Sequence, residues 1–99
     1  MCGIVGYIGP RDLKEVLMDG LSKLEYRGYD SAGIAYNSEG KLNIVKTKGR
    51  LKELAEIVRI EGRTEGGIGH TRWATHGEPS YVNSHPHTNS AGDIAVVHN

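Results

Sequence analysis

Met1-Cys2-Gly3-Ile4-Val5-Gly6-Tyr7-Ile8 places the chain's single cysteine directly ahead of an apolar run. Residues 3–8 read as a short buried strand, closed by Gly9-Pro10. Once the initiator methionine is removed, Cys2 carries a thiol and a free α-amine on one carbon, a nucleophile with its own base attached. The amine has an unperturbed pKa of about 7.7–8.0 and a free thiol about 8.5, so both titrate near working pH. The small Cys2 side chain suits methionine aminopeptidases, which generally tolerate small second residues. The plainer reading of a cysteine ahead of a strand is a small buried hydrophobe.

Working outward, Leu13, Val16, Leu17, Leu21 and Leu24 fall on one helical face, with Lys14, Glu15 and Lys23 off it. Asp12 followed by Glu15 is a capping-box signature at the start of this helix. Gly20 inside it costs about 1 kcal/mol against alanine, which implies close packing on a neighbour. Gly28 can serve as the stop. Residues 32–37 and 41–47 flank Ser38-Glu39-Gly40, read as a three-residue hairpin loop. A second helix puts Leu51, Leu54, Ala55, Ile57 and Val58 inward, and Gly66 to Arg72 begins another strand. Residues 76–92 read as a long polar loop, a length usually tied to function or disorder. Residues 93–99 form an apolar strand that stops without a turn, so the chain is expected to be the front part of something larger.

Ninety-nine residues allow one small domain, which buries roughly 60–68% of its unfolded surface. Twelve basic and twelve acidic residues cancel, leaving no electrostatic footprint for nucleic acid or an anionic membrane. One cysteine excludes an intrachain disulfide and any multi-cysteine zinc site. The first ten residues lack a basic n-region and run into Arg11 and Asp12, so no signal peptide is read there. No run is long enough to span a membrane. A reducing cytoplasm is the expected compartment.

Two polar clusters carry the chemistry. Gly69-His70-Thr71-Arg72-Trp73-Ala74-Thr75-His76-Gly77 gathers a guanidinium, imidazoles, hydroxyls and an indole. Arginine's planar fork suits a carboxylate bidentately, and Trp73 can wall a pocket for an amino-acid substrate. The alternative is a surface strand end with assorted polar residues. The second cluster, Leu24 to Gly33, lies where a helix gives way to a strand. There Arg27 either pairs with Asp30 or, as a cation near the Cys2 amine, keeps that amine basic but unprotonated. In His85-Pro86-His87 an extended i,i+2 spacing sends the two rings to opposite sides, which favours a structural loop over a metal pair. Asn99 is either a turn residue or an amide able to donate to a developing oxyanion.

Together, residues 1–6, 24–33, 69–77, 83–87 and 96–99 resemble the N-terminal glutaminase domain of class II (N-terminal-nucleophile) glutamine amidotransferases. Arg27-Gly28-Tyr29-Asp30 and the Trp73 to His76 run look like the branch that aminates fructose 6-phosphate to glucosamine 6-phosphate. The resemblance implies an α+β fold, the N-terminal part of a four-layer α/β/β/α Ntn-hydrolase sandwich with mainly antiparallel sheets. It implies that Cys2 attacks the glutamine amide and that Asn99 donates to the oxyanion. Arg72 would hold the substrate carboxylate, with Trp73, Thr75 and His76 shaping the pocket and Arg27 supporting the nucleophile. It implies no metal or organic cofactor, and a homo-oligomeric full-length enzyme. Residues 1–99 would be an incomplete glutaminase domain, without the later oxyanion glycine or the sugar-isomerase domains that take fructose 6-phosphate, and so not competent alone. The rivals are another class II amidotransferase with a different acceptor, and a non-catalytic glutamine-binding or interaction fragment.

Overall fold

The computed structural model describes residues 2–27, 29–73 and 83–98, with the backbone alone of Arg27. In chain order they form β1 (Gly3–Ile8), α1 (Leu13–Leu24), a 3-10 turn (Glu25–Arg27), β2 (Ser31–Ser38), β3 (Lys41–Lys48), α2 (Leu51–Ile57) and β4 (Thr64–Arg72). Two short strands, β5 (His87–Thr88) and β6 (Ala95–Val96), follow. The main sheet has the order β1-β4-β2-β3, antiparallel throughout, and β5 pairs with β6 in a second small sheet. This is the expected α+β class, consistent with the N-terminal part of an Ntn-hydrolase sandwich.

Strand alternation divides the main sheet into two faces. Ala32, Ile34 and Tyr36 of β2 and Val5 and Tyr7 of β1 meet the helices. Helix α1 forms as its capping residue predicts, the Glu15 N–H donating to Asp12 Oδ1 at 3.0 Å. Its Leu13, Leu17 and Leu21 are buried on that face, and Leu51, Leu54 and Val58 from α2 and its exit complete the core. Each fully buried leucine contributes about 1.5–3 kcal/mol relative to exposure. Gly20 is where α1 approaches β1, since a Cβ there would lie 3.0 Å from both Val5 methyls.

Several boundaries differ from the sequence reading. Strand β1 is an edge strand with only β4 beside it, and its outward Ile4 and Ile8 are 43% and 88% exposed rather than buried. Helix α1 passes into the 3-10 turn at Glu25; the expected stop, Gly28, lies outside the described residues. The β2–β3 loop has two residues rather than three, because Ser38 pairs with Lys41. Positive φ at both Glu39 (52°) and Gly40 (78°) gives it the backbone of a type I′ turn, whose twist matches the strands. Ile57 is exposed because α2 ends there and the extended Val58 turns inward in its place. Among the described residues of the expected 93–99 strand, Ala95–Val96 alone pair.

The helix-free face is partly covered by residues 83–98. Lys46 Nζ donates to the carbonyls of Ser84 (3.0 Å) and Pro86 (3.2 Å). Gly33 lets this segment lie on the sheet: a Cβ there would collide with the His85 carbonyl oxygen.

Candidate active site

The β1–β4 register sets the site. Gly3 pairs with Thr71 and Ile4 with His70, so one further step brings Cys2 opposite Arg72. Opposed residues of an antiparallel pair share a face. Cys2, His70 and Arg72 therefore line the helix-free face at one end of the sheet. The Cys2 thiol donates to the Trp73 carbonyl at 3.9 Å. Arg72 is only 6% exposed and pairs in register with Ser31. Its carbonyl accepts from the Asp30 N–H at 3.1 Å, and the Asp30 carbonyl accepts from Gly49 N–H at 2.9 Å, which ties the loop before β2 to this end.

Trp73 is 47% exposed and meets Tyr29 edge-on, with ring centroids 5.8 Å apart. The Arg50 guanidinium stands 5.1 Å from the Tyr29 centroid and pairs with Glu25 at 3.3 Å. Burial pushes the Glu25 carboxyl up. The Arg50 hydrogen bond, the Leu51 N–H and the Arg50 charge outweigh it and hold the group below its ordinary value. The Cys2 thiol and Arg72 thus share one face at this strand end, with the Trp73 carbonyl beside the thiol, while the Trp73 indole packs on Tyr29. That set can attack a carbonyl carbon while gripping a carboxylate.

Of the site residues expected from sequence, the structure brings Cys2, Arg72 and Trp73 together. Thr75, His76, Asn99 and the Arg27 side chain lie outside the described residues. Thr71 does not join them: alternation turns its hydroxyl to the helical face, beside Gly3 and Leu24.

The histidines depart most from expectation. His70 is 0% exposed, with Nε2 2.7 Å from the His98 carbonyl oxygen. Its ring stacks on His85 at 4.2 Å, and His85 meets His87 at 4.3 Å. Residues 83–86 turn rather than run extended, so the His85 and His87 rings touch instead of facing apart. Burial, then the neighbouring His70 and His87, push His85 down to about 4. Burial lowers His70 and His87 as well. Among the described residues no group of three or more His, Cys, Asp or Glu side chains is arranged to hold a metal ion. One signal for His70 was present in the sequence: two residues before Arg72 on a strand, it must share Arg72's face.

An open groove of about 650 Å³ lies at the other end of the same face, lined by Ile8, Ala35, Leu42, Ile68 and Ala95 among others. Its lining is mixed, with Asn37 and Glu65 among the apolar residues, and it holds neither the Cys2 thiol nor Arg72, so the candidate chemistry belongs to the Cys2 end. No helix among the described residues is long and apolar enough to cross a membrane.

No protein-family model matches the chain. Among curated proteins, it is 60% identical over 99 residues to glutamine–fructose-6-phosphate aminotransferase (isomerizing) of Bacillus subtilis (strain 168). It is 62% identical over 102 residues to the protein of that name from Caldanaerobacter subterraneus subsp. tengcongensis, and 54% identical over 99 residues to that from Listeria innocua serovar 6a. Each alignment takes in 100% of this chain and 16% of the relative, so the chain spans about a sixth of their length. Over its whole length the chain is a homologue of the N-terminal part of the glutamine–fructose-6-phosphate aminotransferase family.

Proposed function

We propose that the chain carries the glutamine-hydrolysing site of an enzyme that moves glutamine's amide nitrogen to fructose 6-phosphate, giving glucosamine 6-phosphate and glutamate. The observation that carries this reading is the meeting of Cys2, Arg72 and Trp73 at one sheet end, with the thiol on the Trp73 carbonyl. The names of the relatives supply the acceptor.

In this reading Met1 is removed and the Cys2 α-amine takes the thiol proton. The thiolate adds to the γ-carbonyl carbon of glutamine. Asn99 donates to the oxygen that gains charge, a contact worth about 10²–10³ in rate in comparable sites. The amine returns its proton to the leaving nitrogen, and ammonia departs. Water then cleaves the γ-glutamyl thioester, releasing glutamate and restoring the thiol. Arg72 pairs with the substrate α-carboxylate, while Trp73, Thr75 and His76 wall the pocket. Arg27 keeps the amine unprotonated by its charge. No metal or organic cofactor enters these steps. Residues 1–99 are the first part of a glutaminase domain in this account. Fructose 6-phosphate is taken by sugar-isomerase domains elsewhere in a homo-oligomeric, cytoplasmic enzyme.

Trp73 is the chain's single tryptophan, which gives a direct test. L-Glutamine should shift its emission saturably, whereas glutaramic acid, which lacks the α-amine, and 4-aminobutanamide, which lacks the α-carboxylate, should bind more weakly. Emission unchanged by L-glutamine, or shifted equally by 4-aminobutanamide, would count against the site.

A further inference from the structure

We propose that Gly3 is a positioning residue for Cys2: its bare Cα lets the end of α1 and strand β4 close directly on the start of β1, and that contact sets where the thiol stands. The inference rests on the role given above to Cys2 as the nucleophile.

The β1–β4 pairing begins at Gly3, opposite Thr71, and Cys2 stands one step outside it. Its main chain therefore takes its place from Gly3, with which it shares a planar peptide. The thiol's contact with the Trp73 carbonyl is long, 3.9 Å, and a thiol is a weak donor, so that contact does not fix the residue by itself.

Gly3 is buried and closed in on the helical face. A Cβ there would lie 2.6 Å from Leu24 Cβ, 3.3 Å from Leu24 Cδ1 and 2.7 Å from Thr71 Oγ1, where ordinary contact starts near 3.4 Å. The Thr71 hydroxyl can rotate aside. Leu24 Cβ cannot, because it is carried on the backbone of the last residue of α1. Relief must then come from the main chain of one element or the other. Helix α1 is anchored by Leu13, Leu17 and Leu21 in the core. The start of β1, an edge strand, is held by β4 alone within the sheet. A side chain at position 3 thus moves the segment that carries Cys2.

The consequence falls on the chemical step. A nucleophile must stand about 3–3.5 Å from the carbon it attacks, and a misplacement of about 1 Å can cost about 10²-fold in rate. Binding at Arg72, on β4, does not depend on that alignment. Gly20 supplies an internal comparison. A Cβ there overpacks the same α1–β1 contact, but it meets the Val5 methyls at 3.0 Å, two residues further along β1 than Gly3.

Capture by the chloroketone analogue of glutamine tests the proposal in the chain with Met1 removed. The Cys2 sulfur bonds to the chloromethyl carbon, chloride leaves with the bonding electrons, and the thiol proton passes to solvent. Saturation kinetics separate affinity for the analogue from the rate of bond formation. Gly3→Ala should slow bond formation at least about tenfold and leave affinity within about twofold. Adding Leu24→Gly, which clears both Leu24 atoms from the gap, should recover most of the rate. Gly20→Ala should leave both quantities within about twofold. An unchanged rate in Gly3→Ala, no recovery with Leu24→Gly, an equal loss in Gly20→Ala, or affinity falling in step with rate would overturn the proposal and make Gly3 a plain packing residue. If the unsubstituted chain is not captured, or glutamine does not protect it, the glutamine reading falls. The positioning of Cys2 is then decided by its ¹³Cβ resonance, which must move in Gly3→Ala and stay in Gly20→Ala.

Discussion

Strand register rather than sequence neighbourhood gives Cys2 its two neighbours, Arg72 opposite it and the Trp73 carbonyl beside it. Cys2→Ser keeps the shape and loses the thiolate, so it should abolish covalent capture of electrophilic glutamine analogues while leaving glutamate binding intact, as read by mass spectrometry and calorimetry. Arg72→Lys should weaken glutamate about tenfold, near 1.4 kcal/mol, because an ammonium cannot reproduce the bidentate fork; unchanged affinity would remove Arg72 from the site. That Cys2 and Arg72 stand at one strand end follows from residue types and neighbours that are distinctive in the sequence. The histidine stack was not legible there. Whether His85 and His87 face apart or together depends on a turn at 83–86 and on burial against β2 and β4, and neither leaves a local pattern.

Helix α1 was legible almost to the residue because its leucines repeat with the helical period and Asp12 caps it. Leu17 is fully buried at the centre of that contact. Leu17→Ala should cost about 2–5 kcal/mol in urea unfolding, and a cost below 1 kcal/mol would mean that α1 is not the clasp described. Strand β1 was placed correctly along the chain but wrongly in depth. Gly3 to Ile8 reads as continuously apolar, and only the strand order reveals that one of its sides meets no helix. The segment over β2 is a packing feature that no periodicity encodes. Gly33→Ala should lift it off the sheet at a cost of about 1–3 kcal/mol, seen as faster amide exchange across 83–88 before any change in α1.

At the scale of the molecule, one face of the sheet is covered by helices and the other in part by a segment pinned through histidines and Lys46. That second cover should be acid-sensitive. His85 titrates near about 4 in the folded chain and near about 6.5 when unfolded. Above the unfolded value both states hold the ring neutral. As pH falls from there towards about 4, only the unfolded chain takes the proton, so stability drops through that window and levels off below it. His70 and His87, lowered in the same sense, add to the slope. Urea midpoints should therefore fall between about pH 7 and about pH 4.5, and His85→Gln should flatten the curve; an equal slope in the variant would contradict the assignment. The central claim is that Cys2 and Arg72 form one glutamine site, and intact-mass analysis of the chain before and after an electrophilic glutamine analogue tests it most directly. The account predicts loss of Met1 and one stoichiometric adduct on Cys2 that glutamine blocks. A retained methionine, or an adduct that glutamine does not protect, would contradict it.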